Sequence, residues 1–350
     1  MSASGKVHTV LGPIEPQALG ITLAHEHLLI TQRESRFVEP REASKRAFAH
    51  RPFTAELRAD VLQDFNLNLD NIVLDDPALI VSELAPFRRS GGKTIVDLSS
   101  LGIGRDPEGL REISAESGVQ VVMGCGYYID KTHPVELADR DEESLAEEME
   151  REIFDGVGDT GIRAGIIGEI GCEGPTENEL KVLRAAALAQ SRTGAAINVH
   201  TPYFFTGRDA GLRVAEVLRS AGADLSRVIF SHQDGSGVDL EYQELLLSQG
   251  IVLEYDCFGF EVSTRAYGGI DYPKDITRIR ELMTLIDRGW MDQVLLSGDM
   301  CFKLALRKFG GWGYAHLLEN VIPRMRREGV SQEVIEILFV RNPRRLLTLS

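Results

Sequence analysis

Leu23-Ala24-His25-Glu26-His27 reads as a short apolar strand ending in two histidines one residue apart. Residues i and i+2 of a β-strand project to one face, so both imidazoles point the same way and form half of a metal site. Whether this strand begins a barrel or an open sheet is decided by the rest of the chain. From about residue 93 onward, short apolar runs at 94–98, 119–123, 164–170, 196–200, 228–232, 251–255 and 294–297 alternate with longer segments. With 21–24 as the first, that makes eight candidate strands.

The intervening segments carry helical spacing, as in 177–191, where Leu180, Leu183, Ala187 and Leu188 share a face. Segments 208–221 and 272–288 behave likewise. Gly118, Gly194, Gly222, Gly250 and Gly289 stand where helices should end, as residues able to take the left-handed cap conformation. Eight strand–helix units predict a (β/α)8 TIM barrel. A doubly wound open sheet is the rival, but no Gly-x-Gly-x-x-Gly turn follows the first strand. The stretch 31–75 breaks the rhythm and is read as a long excursion at the barrel mouth. The tail 331–347 is read as a closing helix ended at Asn342-Pro343 and followed by a short helical or extended end. One domain is expected over 1–350.

Composition narrows the partners. The 350-residue chain is 43% hydrophobic and 26% charged, ordinary values for a globular protein. Its net charge of −15 argues against nucleic acid or an anionic membrane, both of which demand basic surface. The four cysteines, Cys125, Cys172, Cys257 and Cys301, show no Cys-x-x-Cys spacing, so reduced thiols in a cytoplasm are expected. The opening residues carry no basic run before an apolar core, and no run of about 18 apolar residues occurs, so neither leader nor membrane span is expected.

Four of the eight histidines, His25, His27, His200 and His232, fall at predicted strand ends, with Glu169 on strand four and Asp299 just past strand eight. In a barrel these ends meet at one face, where such enzymes keep their active sites. Four imidazoles and two carboxylates gathered there suit a pair of divalent metals about 3.5–4 Å apart. Zinc is the first expectation, with cobalt, manganese, nickel or iron as alternatives. A lone strand histidine is more often a satisfied core residue; six donors at one rim change that reading.

Beside these, Tyr127, Tyr128 and Cys257 are candidate pocket residues, and Asp256 a candidate hydrogen-bond partner for a ligand histidine. Lys303 and Arg307 are read as surface charges, and His316 as a candidate pocket wall.

The ordered set Thr22-Leu23-Ala24-His25-Glu26-His27, Gly168-Glu169-Ile170-Gly171, Val199-His200-Thr201, Ser231-His232 and Gly298-Asp299 resembles the phosphotriesterase family of the amidohydrolase superfamily, closest to the phosphotriesterase-related proteins. The resemblance runs from Lys6 to Asn342-Pro343. It implies that His25, His27 and Asp299 bind one metal and His200 and His232 the other, with Glu169 and a hydroxide bridging both. Asp299 would also take up a proton. The better-known phosphotriesterases bridge with a carboxylated lysine at the place of Gly168. Glu169 lies one residue later, so it bridges only if a bulge turns it inward. The implied activity is hydrolysis of an ester, lactone or phosphoester of a small molecule, with N-acyl amides as the alternative. A barrel that binds a small ligand without turnover is the reading from another class. Related barrels allow a homodimer.

Overall fold

Eight strands pair side by side in parallel in the computed structural model, which describes residues 5–202, 207–235 and 239–350. They are β1 (Ile21–Glu26), β2 (Gly92–Asp97), β3 (Gln120–Cys125), β4 (Ile166–Gly171), β5 (Ile197–His200), β6 (Val228–Phe230), β7 (Val252–Tyr255) and β8 (Val294–Leu296). Each is hydrogen-bonded to the next in chain order. The chain leaving β8 then returns to β1: the His25 N–H donates to Ser297 Oγ (2.9 Å), and the Asp299 N–H to the His25 carbonyl (3.2 Å). The result is a nearly closed (β/α)8 barrel.

Helices α1 (Pro77–Arg89), α2 (Pro107–Ser117), α3 (Glu142–Phe154), α4 (Glu177–Thr193), α5 (Arg208–Ser220), α6 (Leu240–Ser248) and α7 (Asp275–Asp287) fill the intervals. The sequence caps most of them. Asp76, Asp106, Asp141 and Asp239 each accept an N–H of the first turn, and Thr176 with Glu179 forms a capping box. Helices α2 and α4 end on Gly118 and Gly194, both at φ +68°.

Side-chain alternation separates two apolar layers. Ile95, Val121, Ile167, Ile197, Phe230, Leu253 and Leu296 pack outward against the helices. Ala24, Val96, Val122, Ile166, Ala196, Ile229, Val252 and Leu295 face inward and form the barrel interior, met by Val7, Leu19, Leu346 and Leu347. Burial of this kind stabilises by about 25 cal/mol per Å² of apolar surface, and none of it involves the polar strand ends.

The excursion after β1 is anchored where it starts and stops: Ile30–Thr31 pairs antiparallel with Val73–Leu74. Between them lie short helices Arg33–Arg36, Ala43–Ala49 and Arg58–Leu62. It is tied to the chain beyond β8, with Lys303 N–H donating to the Asn71 carbonyl (2.9 Å) and Lys303 Nζ 2.7 Å from Asp70.

Several boundaries differ from the sequence reading. β1 runs on through His25, whereas β6 stops at Phe230, leaving Ser231 and His232 beyond it. The closing helix does not end at Asn342-Pro343. A widened turn, Ile337–Arg341, feeds Asn342–Leu347, and Pro343 sits in that segment's first turn, where its lack of an N–H is tolerated. Asn342 Nδ2 instead donates to the Met291 and Val294 carbonyls, both at 2.8 Å. Among the described residues no helix is long and apolar enough to cross a membrane.

Candidate metal centre

The inward parity that builds the barrel interior also aims the polar side chains above it. Ala196 points inward on the β5 side of the barrel, so Asn198 and His200 do too. Ile229 is followed by Ser231, Val252 by Glu254 and Asp256, and Leu295 by Ser297. β4 breaks the rule. Its pairing with β5 shifts register between Ile167 and Ile170, both of which face the outer layer although three residues apart. That extra residue is a bulge, and it turns Glu169 into the barrel. Gly168 makes it possible: its φ is +133°, and a Cβ there would meet the Asn198 carbonyl oxygen at 2.5 Å.

Two more donors are aimed by left-handed backbone. His232 (φ +62°) and Asp299 (φ +44°) are the non-glycine residues of positive φ among those described, a conformation that costs energy and clusters at functional sites.

Glu169 Oε1 lies 3.0 Å from His200 Nδ1, 3.0 Å from His232 Nε2 and 3.6 Å from His25 Nε2. Asp299 Oδ1 lies 3.3 Å from His27 Nε2 and 3.8 Å from His25 Nε2. Among the described residues four donor groups close on one another: His25–Glu169–His232, His25–His27–Asp299, His232–Asp256–Cys257 and His25–Glu254–Asp256. His200 meets Glu169 and His232 but belongs to none of the four.

The other nitrogen of each ring is held from outside. His25 Nδ1 lies 3.1 Å from Ser231 Oγ and Asp256 Oδ2 and 3.2 Å from Glu254 Oε2. His27 Nδ1 faces Ser99 Oγ (3.0 Å), His232 Nδ1 faces Asp256 Oδ1 (3.0 Å), and His200 Nε2 faces Glu173 Oε1 (3.2 Å). Such partners fix which ring nitrogen is free to bind. The test of fit is His25 Nε2, which is buried and has no hydrogen-bond partner. A buried polar atom left so is costly, and here it is ringed by carboxylate oxygens and imidazoles. That donor set suits borderline divalent cations.

The electrostatics favour positive charge in the ring. Burial alone would raise the Glu169 carboxyl, but His200 and His25 hold it well below the usual carboxylate range. Burial likewise works against the charged imidazoles of His25 and His232, yet the facing carboxylates raise both well above the ordinary histidine value. Burial pushes the Glu254 carboxyl up, against its contact with His25.

A cleft opens over these residues. His27, Glu169, His200, His232 and Asp299 form its floor, with Gln32, Arg36, Tyr128, Cys257, Tyr272 and Cys301 among its walls and Ile30, Ile103, Phe260 and Phe302 as apolar lining. Of the three expected pocket residues, Tyr128 and Cys257 line this cleft. Tyr127 does not. Its hydroxyl donates to Glu148 (2.9 Å) and accepts from Arg140 (2.9 Å), turning the ring toward α3, because the chain after β3 presents adjacent residues to opposite sides. His316 is not a wall of this cleft either; its Nε2 lies 2.6 Å from Asp275. Arg307 pairs with Glu319.

Glu173, Glu254, Ser231 and Arg36 join the site without having been expected there. The pair Glu254 and Asp256, two acids at i and i+2 in an otherwise apolar strand, is the signal the sequence offers. Arg36 and Glu173 offer none, since their pairing depends on two distant loops.

The Phosphotriesterase family model matches residues 5–347. An N-acetyltaurine hydrolase of Xenopus tropicalis is 38% identical, with 99% of each chain covered. A resiniferatoxin-binding protein from Rhodobacter sphaeroides superposes with a TM-score of 0.93 at 39% identity, covering 99% of this chain and 98% of that one. The phosphotriesterase homology protein from Escherichia coli, complexed with phosphate in its active site, gives 0.78 at 32% identity over 94% and 99%.

Proposed function

Because this chain belongs to the phosphotriesterase family and is a metal-dependent hydrolase, we propose that its substrate is a small N-acyl amide, cleaved over a pair of divalent cations, zinc first. The observation that carries the site is the buried, unpartnered His25 Nε2 set between Glu169 and Asp299. The amide assignment is supported by the end-to-end match to N-acetyltaurine hydrolases, and we place it ahead of the ester, lactone and phosphoester readings.

His25, His27 and Asp299 are assigned to one cation and His200 and His232 to the other, with Glu169 between them. Bound there, divalent cations supply a water of near-neutral pKa and polarise the acyl oxygen. The chain's own residues then handle protons and position. Asp299, whose side chain is the most open of the six at 19% exposure, takes the proton of the attacking water at its carboxylate. It delivers that proton to the departing nitrogen, which an amine needs in order to leave and an activated ester does not. Tyr128 and Phe260 line the cleft above these residues, and their rings leave less room for bulk water there.

The experiment is a panel of N-acetyltaurine, N-acetyl amino acids, aryl esters, lactones and phosphotriesters offered to metal-loaded protein. The amide reading requires the highest kcat/KM on N-acyl substrates. Turnover confined to esters, lactones or phosphotriesters would overturn it. A protein that holds two equivalents of metal and binds an apolar ester such as resiniferatoxin without turning anything over would be a binding barrel.

A further inference from the structure

We infer that Arg36 is the specificity residue of this site, recognising a carboxylate or sulfonate on the amine half of the substrate. The inference rests on the amide reading above and deepens it. Arg36 closes the short helix Arg33–Arg36 of the excursion and lines the cleft over the donor ring, with its side chain only 9% exposed. Among the described residues lining that cleft, it is the one side chain with a permanent positive charge.

Its placement is held. Nη2 donates to the Tyr128 hydroxyl (2.8 Å) and pairs with Glu173. Glu173 in turn touches His200 Nε2 at 3.2 Å, and the Tyr128 ring centroid is 5.1 Å from that of His200. The guanidinium therefore stands beside His200, on the side of the ring where a substrate's outer half would lie once its acyl carbon sits over Glu169 and Asp299.

Charge makes the assignment directional. The chain carries a net −15, and Glu169 and Asp299 set two carboxylates in the floor of the cleft. Glu173, Glu254 and Asp256 add further carboxylates behind the histidines, so a positive group beside the cleft helps an anionic substrate to enter. A guanidinium meets carboxylate and sulfonate oxygens with two parallel N–H donors, a geometry that a neutral amide cannot exploit.

The test compares kcat/KM on three N-acetyl amides of similar length: N-acetyltaurine (sulfonate), N-acetyl-β-alanine (carboxylate) and N-acetylethanolamine (neutral). Wild type should favour the anions by about 10- to 100-fold, the range of one charge-assisted hydrogen-bond pair. Arg36→Gln should bring the anionic-to-neutral ratio near one, chiefly through KM, and Arg36→Lys should recover part of it. Removing Arg36 alone leaves Glu173 without its cation beside His200, so the double variant Arg36→Gln/Glu173→Gln is measured too, with metal content, and should show the same loss of ratio. The sulfonate and carboxylate arms identify which anion the site prefers. If amides are cleaved but wild type shows no anionic preference, or the variants lower all three rates equally, Arg36 is only a strut for Glu173 and the inference fails. If none of the three amides is cleaved while esters or lactones are, the amide reading fails and takes this inference with it.

Discussion

Asp256 grips His232 at two points: Oδ2 accepts from the His232 backbone N–H at 3.0 Å, and Oδ1 lies 3.0 Å from ring Nδ1. The same carboxylate reaches His25 Nδ1 at 3.1 Å. It thus orients His25 and His232 together, and it holds His232 in its left-handed backbone. Burial opposes the Asp256 charge, but His232 and His25 keep the carboxyl far below its ordinary value. Asp256→Asn keeps the shape and replaces one acceptor with a donor that faces an N–H. Metal affinity should fall about 10- to 100-fold, measured by competition with a chromogenic chelator. Circular dichroism should show the barrel intact; an affinity equal to wild type would remove Asp256 from this role.

Gly168 permits the bulge that turns Glu169 inward, so Gly168→Ala is the substitution that tests it. The new Cβ meets the Asn198 carbonyl oxygen at 2.5 Å on a backbone of φ +133°. Strain and overpacking together should cost roughly 2–4 kcal/mol, read from urea unfolding, and metal occupancy should drop with it. Gly174→Ala is the control, because its Cβ finds only Thr176 Cγ2 at 3.8 Å. Equal midpoints for the two variants would contradict the packing argument.

The barrel was legible because its elements obey periodicities of two and 3.6 residues. The six proposed ligands were legible because they lie at or just past strand ends, although His25 and His27 face the site only through the register slip of β1 between Leu23 and Glu26. Glu169 was legible only with its bulge, since parity alone sends it outward. What stayed hidden was set by tertiary contact. Tyr127 and Tyr128 are identical in sequence terms, and only the path of the chain after β3 decides which one faces the cleft. Asn342-Pro343 looked like a helix stop because local rules favour one there, yet the widened turn before it lets the helix continue. Arg36 and Glu173 meet from separate loops, and no local pattern marks such a pair.

Asp299 is both a proposed ligand and the proposed proton carrier. Asp299→Asn retains an oxygen donor but cannot accept the proton, so kcat should fall by about 10²–10⁴ with a smaller loss of bound metal. The check is kcat on the best N-acyl substrate alongside metal content by atomic emission. A rate within threefold of wild type would move the proton transfer to another group.

Chelation should abolish activity without unfolding the chain. The inner layer from Ala24 to Leu295 packs beneath the donor ring and includes none of it, so the core does not depend on the cations. Far-UV circular dichroism should be unchanged in the apoprotein, the thermal transition should stay cooperative at a lower midpoint, and readdition of zinc should restore turnover. Loss of helical signal on chelation would show instead that the metal is part of the fold.

At the opposite end of the barrel, His8 gives a pH dependence of known sign. It sits in the hairpin Val7–Thr9 with Gly12–Ile14, opposite Pro13, and is 1% exposed. Burial lowers its pKa below the ordinary 6.5, with the nearby Arg163 adding to the effect against two backbone contacts. In the unfolded chain the ring titrates near 6.5, so at lower pH the unfolded state binds the proton first. The stability His8 provides is therefore complete above pH 6.5 and declines as pH falls toward the depressed folded value. Urea midpoints measured at pH 7.5, 6.5 and 5.5 should fall more steeply in wild type than in His8→Gln. The carboxylates that also titrate on acidification are common to both proteins and cancel in that difference, so parallel slopes would mean that His8 is protonated as readily in the folded chain as in the unfolded one.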